Sequence, residues 1–410
     1  MRAYERFLNY VKVYTTSDES SATCPSTSRQ LDLAKILEAE MKEIGLVEVE
    51  IDSNGYVYGT LPATKGYEDC MSVGFLAHMD TAPDASGEHV NPIIHENYQG
   101  GDIVLPKGNK VIEEQKFPHL KNLIGRTIIT TDGTTLLGAD DKAGIAEILT
   151  ACEMLVKEEI PHGPIQIMFS PDEEIGRGMD KVDLNKFTPK VAYTMDGGPE
   201  GEIEYECFNA ASMMVTIHGF SVHPGSSKNT MVNAALVGCE FNQMLPSTQI
   251  PSMTEGYEGF YHLCEVKGDV QEATFEYIVR DHSDELFEAK KQTALHIQKI
   301  LNEKYGDGTV EVEIKDNYYN MARMVKPHFH LVENAMKATE KAGVTPIVQP
   351  IRGGTDGARL SYMGIPCPNL GTGGYGYHGE YEHITVEGMD LAVQIMLNII
   401  ELYKERKAES

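Results

Sequence analysis

Several apolar stretches of this chain run directly into residues that can bind a metal or move a proton. SVGFLA leads into His78-Met79-Asp80, LLGA into Asp140-Asp141, IMFSP into Asp172-Glu173-Glu174, and KVAYTM into Asp196. A late glycine-rich segment, GTGGYGYHGEYEH, adds His378 and His383. In an extended chain residues i and i+2 face one side, so His78 and Asp80 point together. That suits a ligand with a carboxylate behind it holding the other ring nitrogen. Taken singly, each motif has an ordinary reading: a strand-end histidine, a helix cap favoured by the dipole, a solvated acidic turn. Together, two imidazoles and three carboxylates without thiolates describe a site for two divalent ions sharing one carboxylate. Zinc leads, and cobalt or manganese tolerates the same ligands. A hydroxide shared between the ions would be the nucleophile. Adjacent Glu173 and Glu174 suit a division between general base and ligand.

Such residues need strands that deliver them to one edge. SVGFLA (72–77), PIQIMFS (164–170) and KVAYTM (190–195) read as buried strands, and 143–155 as a helix between the first two. Open α/β sheets place their sites at the C-terminal ends of such strands. Helical spacing of Tyr4, Phe7, Leu8 and Val11 predicts a short first helix. A second runs from the Ser26-Thr27-Ser28 cluster to Gly45, and a hairpin follows around Ser53-Asn54. From about Tyr205 the order becomes β-α-β-β-α-β, a ferredoxin-like unit of its own. The α/β pattern then resumes and closes with a helix from Val386 to Tyr403. The expected fold is therefore α/β: a largely parallel mixed-sheet catalytic domain (1–205 and 318–410) interrupted by an α+β lid or dimerisation domain (206–317).

HMD, GADDKAG, PDEEIGRG, MDGGP, SVHPG and IRGGTDGARL, in this order and across essentially the whole length, resemble the aminoacylase/carboxypeptidase-like dinuclear zinc peptidases. The resemblance implies an aminopeptidase that removes the first residue of tripeptides. It makes His78, Asp140 and Asp196 ligands of one ion, and Asp140, Glu174 and His378 ligands of the other. It makes Asp80 the residue that orients His78, and Glu173 the general base. It also implies a cis peptide between Asp140 and Asp141. His223, in the SVHPG loop, would stabilise the oxyanion from a partner subunit, so a homodimer through the inserted domain is expected. Arg280 would grip the substrate carboxylate, with Arg352 and Asn233 as further substrate-binding candidates. His383 stays open as an alternative to His378. Other histidines, His119 and His95 among them, read as surface residues.

Composition excludes other classes. There are 35 Lys and Arg against 62 Asp and Glu, a formal charge of −27. That balance repels nucleic acid and anionic membranes. No apolar run approaches a membrane span, and the N-terminus lacks the apolar core of a signal peptide. Seven cysteines, an odd number without a CxxC pair, predict reduced thiols in a cytoplasm. Two rivals remain: a dipeptidase, carboxypeptidase or N-acyl-amino-acid deacylase with the same metals, and a peptide- or metal-binding protein without catalysis. A base beside the ligands argues against the second.

Overall fold

The protein is described by a computed structural model over residues 1–407. The chain divides into two compact units. The first comprises 1–205, 321–349 and 355 onward; the second comprises 206–320 and 350–354.

The first unit opens with helices α1 (Ala3–Tyr10) and α2 (Gln30–Ile44), the latter ending at Gly45 in the left-handed region. Its main sheet contains β1 (Val47–Ile51), β2 (Val57–Leu61), β3 (Val73–His78), β4 (Ile165–Ser170), β5 (Val191–Gly197), β6 (Glu202–Glu204), β7 (Ile347–Val348) and β8 (Asn369–Gly371). The order across the sheet is β1-β2-β4-β3-β5-β8-β6-β7. The four central strands β4, β3, β5 and β8 are parallel. The β1-β2 hairpin on one side and β6 on the other join antiparallel.

Every residue of β3 is buried, which explains its unbroken apolar pattern. Phe75 stacks on Tyr193 of the neighbouring strand at 5.8 Å. Such fully buried side chains each contribute about 1.5–3 kcal/mol. Helix α3 (Ala139–Lys157) packs on β3 and β5. Its Gly144 permits this close approach, because a Cβ there would lie 2.0 Å from the Met195 carbonyl oxygen.

A smaller sheet, which sequence periodicity did not reveal, joins Ile93–His95, Ile128–Thr130, Gly374–Tyr375 and His383–Thr385. These strands are only two or three residues long, too short to show an alternation. The last two form a hairpin in which Tyr375 pairs with His383, so residues between them form its loop.

The second unit has the order strand Asn209–His218, helix Ala234–Met244, strands Phe260–Gly268 and Glu272–Asp281, helix Asp284–Tyr305, strand Val310–Tyr318. The sheet is antiparallel, with the first strand between the third and the fourth. Both helices pack on one face of it around Phe241, Phe275, Phe287 and Leu301.

Candidate active site

His78 ends β3, and the parallel register sets it beside Ser170, the last residue of β4. Its Nε2 lies 2.8 Å from Oδ1 of Asp140 and 3.5 Å from Oδ1 of Asp196. His378, in the hairpin loop at φ +61°, approaches the other oxygen of the same carboxylate. Its Nε2 is 3.2 Å from Oδ2 of Asp140 and 3.0 Å from Oε2 of Glu174. Asp140 thus stands between two imidazoles, each with a further carboxylate beside it. All five residues named as ligands from the sequence converge here.

Asp80 is fully buried behind His78. Its carboxylate accepts the backbone N–H of Glu173 at 3.0 Å and of Glu174 at 3.2 Å. Nδ1 of His78 lies 3.1 Å from the Asp80 carbonyl oxygen and 3.4 Å from its carboxylate. Those acceptors hold the proton on Nδ1, so that loss of the proton on Nε2 would turn a lone pair toward Asp140 and Asp196. One buried acid therefore orients a histidine and fixes the turn that carries both glutamates.

Asp140 and Asp141 depart from helical geometry at the start of α3, and the peptide between them is cis. Asp141 also lies near His78 and Asp196. However, its oxygens already accept the backbone N–H of His78 at 3.1 Å and of Gly144 at 3.3 Å. Asp140 is left as the carboxylate that meets both imidazoles.

His383 does not enter the cluster. It is buried in the small sheet, with Nδ1 2.7 Å from the Tyr381 carbonyl oxygen and Nε2 2.8 Å from Nε2 of His119. His119 is not the surface residue its sequence context suggested: its ring stacks on Tyr375 at 4.0 Å. The register that pairs Tyr375 with His383 creates this stack and leaves His378 in the loop.

The electrostatics show what these residues lack. Burial, reinforced by Asp196, pushes Glu173 well above the carboxylate range. Burial and Asp140 push Glu174 up to about 8. Burial likewise takes Asp196 up to about 6, despite the opposing pull of His78. Hydrogen bonds to Asp140 and Glu174 raise His378 to about 11. Burial alone would lower His78, yet Asp196, Asp140 and Asp80 raise it well above its usual value. Both imidazoles thus serve as substitute cations for carboxylates that crowd one another. Oε1 of Glu174 is buried without a hydrogen-bond partner. An excess of converging acceptors, one of them orphaned, fits divalent cations.

The other candidates belong to the second unit. His223 is exposed, and its Nδ1 accepts the Gly225 N–H at 3.1 Å, which leaves Nε2 as the donor. Asn233 caps the helix that starts at Ala234, accepting the Leu236 N–H at 3.2 Å. The Arg280 guanidinium lies over the Tyr318 ring at 5.3 Å. Arg352 has its terminal nitrogens bonded to the carbonyl oxygens of Gly256, Glu258 and Thr254 and to the Thr254 hydroxyl. That guanidinium clamps a turn, so gripping substrate in bidentate fashion requires it to release those bonds.

Sequence reasoning passed over several supporting residues. Asp172 binds the Ser26 N–H at 2.7 Å, the Ser26 hydroxyl at 2.5 Å and the Gln30 amide at 2.7 Å. It ties the glutamate turn to the start of α2. Buried Asp356 accepts the Ser170 hydroxyl at 2.7 Å. Asn369 accepts the Asp196 N–H at 3.1 Å. Each partner is distant in sequence, so no local spacing signals the role.

The chain is similar to known peptidases along nearly its whole length. The chain is 54% identical to a peptidase T of Caldanaerobacter subterraneus subsp. tengcongensis over 99% of each protein. It is 53% identical to a peptidase T of Halothermothrix orenii, over 98% of this chain and 99% of that one. Among solved structures it resembles the aminopeptidase PepT of Bacillus cereus ATCC 10987, with 25% identity and a TM-score of 0.77. The match covers 98% of this chain and 97% of the other. Residues 137–402 match the sequence profile of peptidase family M20/M25/M40. The chain belongs to that family.

Proposed function

We propose that this peptidase is an aminopeptidase that removes the N-terminal residue of tripeptides with a dinuclear metal centre. The observation that carries the reading is Asp140, whose two oxygens meet His78 and His378 separately at 2.8 and 3.2 Å. The peptidase T relatives, matched over nearly their full length, support the substrate class. His78, Asp140 and Asp196 would hold one ion, and Asp140, Glu174 and His378 the other. Imidazole and carboxylate without thiolate favour zinc, with cobalt or manganese accepted. Such ions, when bound, polarise the peptide carbonyl and lower the pKa of water.

The chain's own residues do the rest. Glu173, half-buried beside Glu174 and held by Asp80, takes the proton of the attacking water and delivers it to the departing amine. Asp80 keeps His78 in the tautomer that presents Nε2. His223 donates from Nε2 to the oxyanion of the tetrahedral intermediate, acting across a homodimer formed through the inserted unit. Arg280 receives the substrate carboxylate; Arg352 and Asn233 are subsidiary contacts.

The proposed setting is cytoplasmic, a reading supported by seven cysteines that are free thiols. Among the described residues no helix is long and apolar enough to cross a membrane. The test is turnover of Ala-Ala-Ala, Ala-Ala and N-acetyl-Ala-Ala-Ala before and after chelation. Cleavage of the first alone, lost with the metal and restored by zinc, is expected. Cleavage of the acetylated peptide would instead establish a carboxypeptidase or deacylase.

A further inference from the structure

Helix α3 begins without a cap of its own. Gly138 is the N-cap residue and has no side chain to accept a hydrogen bond. The first N–H groups of a helix have no intrahelical acceptors, and buried ones need a partner from elsewhere. Glu382 supplies it from a segment more than 200 residues away. Its Oε2 accepts the N–H of Leu137 at 2.6 Å and of Gly138 at 2.8 Å, and its Oε1 accepts that of Asp140 at 3.0 Å. The side chain is 1% exposed, so water cannot replace it. A carboxylate suits three converging donors, because both of its oxygens accept.

We propose that Glu382 is a positioning residue for the metal centre: it fixes the backbone of Asp140, so that the carboxylate shared by both ions is in place before either arrives. The loop that brings His378 to Asp140 also carries Glu382, four residues later. One hairpin therefore delivers a ligand and locks the ligand opposite it. This inference rests on the reading of Asp140 as the shared ligand.

Glu382→Gln keeps the shape but sets an NH2 group against at least one of the three donors. Glu382→Asp keeps the charge with a shorter reach. Zinc binding by the full-length chain, stripped and then titrated against a competing chelator, is expected to weaken about 10–100-fold in the Gln variant. The Asp variant should fall between it and wild type. In metal-free protein, amide exchange at 137–140 should quicken at least ~10-fold in the Gln variant while the rest of α3 is unchanged. Wild-type zinc affinity and wild-type exchange in Glu382→Gln would overturn the proposal. So would failure of both variants to fold, or a lower Tm with unaltered affinity, since Glu382 would then serve the fold rather than the ligand. A wild-type chain that takes up no zinc would instead refute the metal-site reading itself, an outcome separate from equal affinities in wild type and variant.

Discussion

Two charge clusters of the first unit, each containing a buried residue, are built on opposite terms. Around Arg6, which is 2% exposed, the guanidinium meets Glu40 at 2.6 Å and Glu153 at 2.9 Å. The terminal amine of Met1 and Lys157 complete Glu153, at 2.7 and 2.5 Å. Every acid there has a fixed cation from the chain. Around Asp140 the acids outnumber the cations, and the imidazoles that meet it, His78 and His378, must lose their protons to act as ligands. The first cluster is finished when the chain folds; the second is finished only when something arrives. Burial of charge therefore marks a functional site here only where the chain leaves the charge uncompensated.

The largest way to sharpen that contrast is Asp140→Ala. Because this carboxylate meets both imidazoles, the variant should lose both ions in elemental analysis and show no measurable tripeptide turnover. Asp196→Ala should retain the ion held by Glu174 and His378. Retention of both ions by the Asp140 variant would refute the shared-ligand geometry. Glu173→Gln comes next: kcat should fall about 10²–10⁴-fold with the metal content unchanged. Turnover equal to wild type would remove Glu173 as the base.

Much of the cluster was legible because its members sit where strands end. His78, Glu174 and Asp196 follow apolar runs, and the parallel register of β4, β3 and β5 brings those ends together. The closing helix Val386–Tyr403 and the inserted β-α-β-β-α-β order were equally plain, since long periodic elements announce themselves. What stayed hidden depends on contacts between distant segments. The choice between His378 and His383 turns on a hairpin register, and the short strands carrying it show no alternation. Asp172, Asp356 and Glu382 look like ordinary acids until their partners at Ser26, Ser170 and Leu137 are brought beside them.

The contrast also predicts opposite signs for stability in metal-free protein. Arg6→Leu takes the cation from Glu40 and one of three from Glu153, and should cost up to about 3 kcal/mol. Asp196→Asn removes one of several crowded acids and should raise the Tm, at the expense of metal binding. Thermal melts in chelator decide this, and a stabilising Arg6 variant would break the comparison. The pH dependence has the same origin. Glu174 at about 8, Asp196 at about 6 and His378 at about 11 all hold protons in the folded metal-free state that the unfolded chain releases. A state that binds more protons loses stability as pH rises, so these groups should make metal-free stability decline from about pH 4, Asp196 and Glu174 up to about pH 8 and His378 on to about pH 11. Incoming ions must displace those protons, so zinc affinity should climb over the same window. Calorimetry in buffers of different ionisation enthalpy would register the protons released.

The smallest effect tests the self-contained cluster by itself. Burial would raise Glu153, but hydrogen bonds from Lys157, the terminal amine and Arg6 bring it down from 4.5 to about 2. A depressed carboxylate contributes stability that is complete above its unfolded pKa and disappears as pH falls through the folded one. Glu153→Gln keeps one oxygen able to accept from Arg6, so it should cost only about 1–2 kcal/mol at neutral pH. The gap between wild type and variant should close as the pH is lowered from about 4.5 to about 2. Urea unfolding at a series of pH values measures it. Tripeptide turnover by the folded variant should stay at the wild-type level, because this cluster completes its own charge and owes nothing to the metal site. A gap that persisted unchanged to pH 2 would mean that packing, rather than ionisation, is what Glu153 contributes.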